Sequence, residues 1–142
     1  MHDRFVEHFV ERFVEAWARP DGSGFAELWH PNGRLEHPSL PAPIAGAEVP
    51  AWSERVRASL PGYRFTAESF AARGRLVFLQ WRTRATLQGR PLELAGVDRL
   101  QLENERIAHE IVYFDTLPLW STLDPTLARP ALMDRAAALP EG

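Results

Sequence analysis

The chain has 142 residues, 45% of them hydrophobic, a formal net charge of -3 and no cysteine. Length and apolar content fit one globular domain with a real core. The mild charge argues against nucleic acid as a main partner, and the missing thiols exclude disulfides, thiolate catalysis and cysteine-held metals.

In chain order, Met1-His2-Asp3-Arg4-Phe5 carries charge and no apolar stretch, so it does not read as a secretory signal. No apolar run is long enough to span a membrane, and a cytoplasmic protein is the expectation. Phe5, Val6, Phe9, Val10, Phe13, Val14 and Trp17 recur at helical spacing, which predicts an amphipathic helix ended by Arg19-Pro20-Asp21-Gly22. Ser23 opens a short second helix through Trp29. Pro31-Asn32-Gly33 reads as a turn, and a short strand follows from Arg34 to His37. The proline-rich stretch from Pro38 to Gly46 reads as an ordered loop. A third helix covers Glu48 to Leu60, with Pro50 tolerated in its first turn.

From Tyr63 the pattern changes to period two. Strands predicted around Phe65, Val77–Ala85, Leu92–Leu102 and Ile107–Asp115 are separated by turns at Arg73-Gly74, Gln88-Gly89 and Glu103-Asn104-Glu105. Three helices followed by an antiparallel meander is an α+β plan, with helices on one face of a curved sheet. Residues 1–117 form the domain. Residues 118–142 form an extension, with a helix over Ala131–Leu139 that lies on the body or on a partner subunit.

Asp98 shares parity with Leu92, Leu94, Leu100 and Leu102. An ionised carboxylate on that face costs roughly several kcal/mol unless it is paired, and a raised pKa is the cheaper outcome. His37 shares parity with Leu35. His109 and Asp115 share parity with Ile107, Ile111 and Tyr113. Together these describe either a satisfied core network, such as a buried Asp98–arginine bridge, or a pocket with acid–base chemistry. Asp115 also suits a turn cap, and His109 a structural or surface place. Trp52, Tyr63, Phe65, Trp81 and Tyr113 suit a core or a pocket lining. Arg82 and Arg84 suit a solvated or partner-facing surface. The five histidines lack metal-ligand spacing, so no metal site is expected. Neither a phosphate loop nor a serine nucleophile elbow is present.

The segments Arg12–Trp17, Leu35–Pro38, Pro43–Gly46, Gly96–Leu100 and Arg106–Asp115 resemble the nuclear transport factor 2-like superfamily, in the branch of ketosteroid isomerase and SnoaL-like polyketide cyclases. The resemblance runs from about residue 4 to 117. It implies a cone-shaped, cystatin-like α+β roll open at one end, with three helices against a strongly curved, mainly antiparallel sheet. It also implies a homodimer formed through the outer sheet face. His37 falls where the isomerase has its aspartate base, and Asp98 where it has a neutral, hydrogen-bond-donating aspartate. Phe13 replaces the isomerase's tyrosine donor. Asp115 matches a terminal aspartate of the cyclases and of limonene epoxide hydrolase. Trp81 and Thr83 stand where that hydrolase needs charged residues, so its reaction is not expected.

These readings converge on a cofactor-free acid–base enzyme for a small apolar carbonyl or polyketide-like compound. His37 is its expected base, Asp98 its neutral acid and Asp115 an orienting group or second base. Phe13, Trp17, Trp52, Tyr63, Phe65, Trp81 and Tyr113 are the expected substrate contacts. The alternative is a non-catalytic ligand-binding or dimerisation module, in which Asp98 is paired with a basic group.

Overall fold

In the computed structural model, which describes residues 4–127, 129–138 and 140, the apolar stripe of the first segment forms helix α1 (Arg4–Ala18). Val6, Phe9, Val10, Phe13, Ala16 and Trp17 form its buried face. Helix α2 (Ser23–Leu28) adds Phe25 and Leu28 to the same core. Phe25 meets Phe13 edge-on at 5.8 Å and Trp17 at 4.9 Å. Helix α3 (Val49–Ser59) begins with Pro50 in its first turn, as expected, and buries Val49, Trp52 and Ser53.

The turn between α1 and α2 is held from α3. Arg57 donates to the carbonyls of Ala16 at 3.0 Å, Trp17 at 3.2 Å and Asp21 at 2.8 Å. Glu54 accepts from the Gly22 N–H at 2.8 Å. The carbonyls at the end of α1 have no partner within their own helix, so the guanidinium supplies one. Arg57→Ala is expected to cost about 1–3 kcal/mol, read as a lower urea midpoint with an unchanged slope.

Six strands follow the order β2-β1-β6-β5-β4-β3. They are β1 (Trp29–Glu36), β2 (Ile44–Ala45), β3 (Arg64–Arg73), β4 (Leu76–Leu87), β5 (Arg90–Glu103) and β6 (Arg106–Phe114). All pairs are antiparallel except β1 with β6. The hairpins turn through Gly74 and Gly89 at φ of +59° and +75°, a region open to glycine. One sheet face buries Leu79, Leu92, Leu94, Leu100 and Leu102 beneath the helices. The architecture is α+β, as expected.

Two local expectations need correction. The turn at Pro31-Asn32-Gly33 lies inside β1 as a register irregularity between Trp29 and Arg34. The loop from Pro38 to Gly46 contributes the two-residue β2 at its end. In the extension, helix α4 (Leu117–Leu123) packs on β5, and helix α5 (Arg129–Ala138) spans most of the expected Ala131–Leu139 segment. Leu139 and the N-terminal Met1–Asp3 lie outside the described residues. No helix among the described residues is long and apolar enough to cross a membrane.

Candidate functional site

The concave sheet face and the helices enclose a cavity of about 450 Å³. Small-molecule sites occupy about 300–1,000 Å³. Trp17, Trp52, Tyr63, Phe65, Trp81 and Phe114 supply aromatic wall, and Leu119 of α4 closes part of it. Trp17 holds the wall together, with ring centroids 5.9 Å from Trp52, 5.2 Å from Tyr63 and 6.0 Å from Phe65.

Asp98 points inward from β5 and is only 3% exposed. The Trp81 indole on β4 donates Nε1–H to Asp98 Oδ1 at 2.8 Å. Glu110 of β6, 5% exposed, joins Asp98 in a side-chain hydrogen bond. Burial pushes Asp98 up from 3.8 to about 6, while the hydrogen bonds from Glu110 and Trp81 pull it down. Glu110 is raised well above its ordinary value by burial, then by the negative charge of Asp98. The pair therefore shares one proton that rests on Glu110, with Asp98 as its carboxylate end. Among the described residues, the cavity lining contains one cationic side chain, the exposed Arg55. Asp98 is thus paired with an indole and an acid, not with an arginine.

His37 follows the end of β1 and lines the cavity, 4.9 Å from the Trp52 ring and 5.3 Å from Phe114. Its Nδ1 accepts the Ser39 N–H at 3.1 Å and lies 2.6 Å from the Ser39 hydroxyl. A backbone N–H can only donate, so the lone pair is on Nδ1 and the neutral ring carries its proton on Nε2. Burial lowers its pKa to about 4. His37 is therefore a neutral N–H donor rather than the expected base.

Three expected site residues lie elsewhere. Phe13, 1% exposed, belongs to the core among Phe9, Phe25 and Phe65 and does not reach the cavity. Tyr113 is 57% exposed. Asp115 is exposed beyond β6, where its carboxylate accepts the Leu117 N–H at 3.0 Å. The cause for the last strand is a bulge. Gln101 pairs with His109 but Leu102 with Ile107, so Ala108 is an extra residue. The alternation inverts there. Ile107 is buried, but beyond the bulge Glu110 and Val112 face inward, and Tyr113 faces out. His109 bonds Glu36 at 2.5 Å, away from Asp98. Arg82 lies between Glu68, at 2.6 Å, and Glu93. Among the described residues, no three His, Asp or Glu side chains are placed to hold a metal ion.

The family model of the SnoaL-like domain matches residues 10–110. The chain belongs to the SnoaL-like family. No curated protein sequence matches it significantly. Solved structures share its fold. AclR from Streptomyces galilaeus, named as a candidate hydroxylase, aligns at TM-score 0.74 and 20% identity over 93% of this chain and 88% of its own. IdmH from Streptomyces antibioticus, named as a candidate polyketide cyclase, aligns at 0.73 and 17% over 85% and 99%. A candidate polyketide cyclase from Acidithiobacillus ferrooxidans aligns at 0.73 and 17% over 88% and 99%. At such identities the likeness is one of fold.

Sequence reasoning missed Glu110 in this SnoaL-like chain. The one available signal was that both parities of the last strand carry large apolar residues, Ile107 and Ile111 on one and Val112 and Phe114 on the other.

Proposed function

We propose that the chain is a cofactor-free acid–base enzyme acting on a small apolar carbonyl or polyketide-like compound. The observation that carries this reading is the Asp98–Glu110 pair, buried in an aromatic cavity and, among the described residues, without a basic partner. Asp98 is the proton acceptor in this scheme. It takes a proton from carbon next to a carbonyl, and the C–H electron pair moves onto the carbonyl oxygen as an enolate. Glu110 keeps its proton and holds Asp98 in place. Returning the proton from Asp98 to another carbon gives isomerisation, and attack of the enolate carbon on a second carbonyl gives ring closure. His37 Nε2–H is available to a substrate oxygen near Trp52 and Phe114. The roles expected from sequence are thereby exchanged between His37 and Asp98, and Asp115 has none.

The test is exchange of α-protons of a cyclic ketone in D2O, followed by NMR. Asp98→Asn is expected to stop catalysed exchange, and Glu110→Gln, which keeps a donor to Asp98, to slow it less. Exchange by Asp98→Asn at the parent rate overturns the assignment. A second reading, a binding module without catalysis, is favoured by Phe13, which cannot replace the tyrosine donor of the isomerase.

The proposal includes a homodimer through the outer sheet face. Val97 and Tyr113 are cross-strand partners there, and with Phe78 they are exposed apolar groups. Tyr113→Glu combined with Val97→Glu is expected to turn a dimer into a monomer in light scattering; a parent that is already monomeric sinks this part. A cytoplasmic place accords with a cysteine-free composition.

A further inference from the structure

Thr83 is 3% exposed and lines the cavity, yet its Oγ meets no hydrogen-bond partner. A buried hydroxyl left in that state is costly, and at a cavity wall its partner is water or a ligand that displaces the water. Its polar neighbour is the Tyr63 phenol. Tyr63 lines the same cavity and sits against Trp17. Burial raises its pKa, so the phenol keeps its proton and remains a donor. The register separates this pair from the acids. Thr83 lies opposite Leu94 and Phe65, whereas Asp98 lies opposite Leu79, four residues away along β4.

We infer that Tyr63 and Thr83 form a second polar subsite, which binds an acceptor oxygen of the ligand at a distance from the carbon that meets Asp98. The ligand is then an oxygenated ring compound, with a ketone, ether or phenol oxygen on the Tyr63–Thr83 wall and apolar surface against the tryptophans. A pure hydrocarbon of the same shape leaves both hydroxyls unanswered. This rests on and deepens the proposed reading of the cavity, because it names where a second oxygen of the substrate sits, apart from the one that meets His37.

The experiment compares 2-acetylnaphthalene with 2-ethylnaphthalene, a ketone and its near-isosteric hydrocarbon. Binding is followed by quenching of tryptophan fluorescence, since Trp17, Trp52 and Trp81 line the cavity. The parent is expected to prefer the ketone by about tenfold, the worth of one good hydrogen bond. Tyr63→Phe and Thr83→Val are expected to reduce that preference to about threefold or less. Affinity for the hydrocarbon is expected to hold or rise, since it no longer covers an unanswered hydroxyl, and that binding shows that the variants remain folded. The carbonyl stretch of the bound ketone, shifted to lower frequency in the parent, returns toward its apolar-solvent value in both variants. A preference that survives both substitutions, or that disappears only in His37→Ala, overturns the subsite. Ketone preference without α-proton exchange keeps the subsite and rejects the acid–base reading; exchange without preference does the reverse.

Discussion

Asp98→Asn is expected to make the protein more stable at pH 8 while it abolishes proton exchange. In the folded chain burial raises the Asp98 pKa from 3.8 to about 6. Below pH 3.8 both folded and unfolded chains hold the proton, and the site costs nothing. As pH rises from 3.8 to 6, the unfolded chain releases its proton first, and the folded state loses stability. Above pH 6 the cost is complete, at about 2–3 kcal/mol. Asn keeps an oxygen for the Trp81 N–H and carries no charge to bury. The variant should therefore melt several degrees higher at pH 8, at roughly 3 °C per kcal/mol. The gain should fade toward pH 4. His37 acts in the opposite direction: with a folded pKa lowered from 6.5 to about 4, it removes stability as pH falls through that window. Both proteins share that effect, so the difference between their melting curves reports the Asp98–Glu110 pair. A carboxylate kept for structure predicts the reverse, with Asp98→Asn melting lower at pH 8. That outcome would sink the view of Asp98 as a group held at a cost for function.

The parts of this site that were legible in sequence depend on local periodicity. Phe9, Phe13 and Trp17 mark α1 by spacing alone, and the leucines around Asp98 place its carboxyl inward. Parity alone sets Tyr113 beside Ile107 and Glu110 on the opposite face, and β6 inverts both because it carries one extra residue, Ala108. A bulge is settled by how a strand fits between its neighbours, and β6 lies between β5 and a parallel β1 that is remote in sequence. The same limit explains His37. Its residue type suggested a base, but its protonation state is fixed by the Ser39 N–H and by burial under Trp52 and Phe114. Phe13 is a different case. Its helical position was right, but α1 puts it among core rings while Trp17, one turn later, reaches the cavity.

Gly96→Ala is expected to damage both fold and site through a single methyl group. A Cβ at this position would lie 2.5 Å from the Tyr113 carbonyl oxygen, 2.6 Å from Trp81 Cζ2 and 2.8 Å from Phe114 Cβ. Glycine weakens a strand interior by losing more backbone freedom on folding, so its place here needs a reason. The reason is the pair of rings that meet over it, with Trp81 and Phe114 centroids 5.8 Å apart. With no side chain beneath, the indole lies across β5 and brings Nε1 to Asp98 at 2.8 Å. A methyl group must push the indole away or part β5 from β6, at about 2–3 kcal/mol. Loss of the indole donor removes a bond that favours the carboxylate, so the Asp98 pKa should rise further. Any proton exchange should then fall more at pH 6 than at pH 8. Trp81→Phe provides the control, because it removes the donor without the clash. It should reproduce the pH shift with a smaller loss of melting temperature than Gly96→Ala. If Gly96→Ala melts like the parent and keeps its pH profile, Trp81 does not depend on the bare strand beneath it.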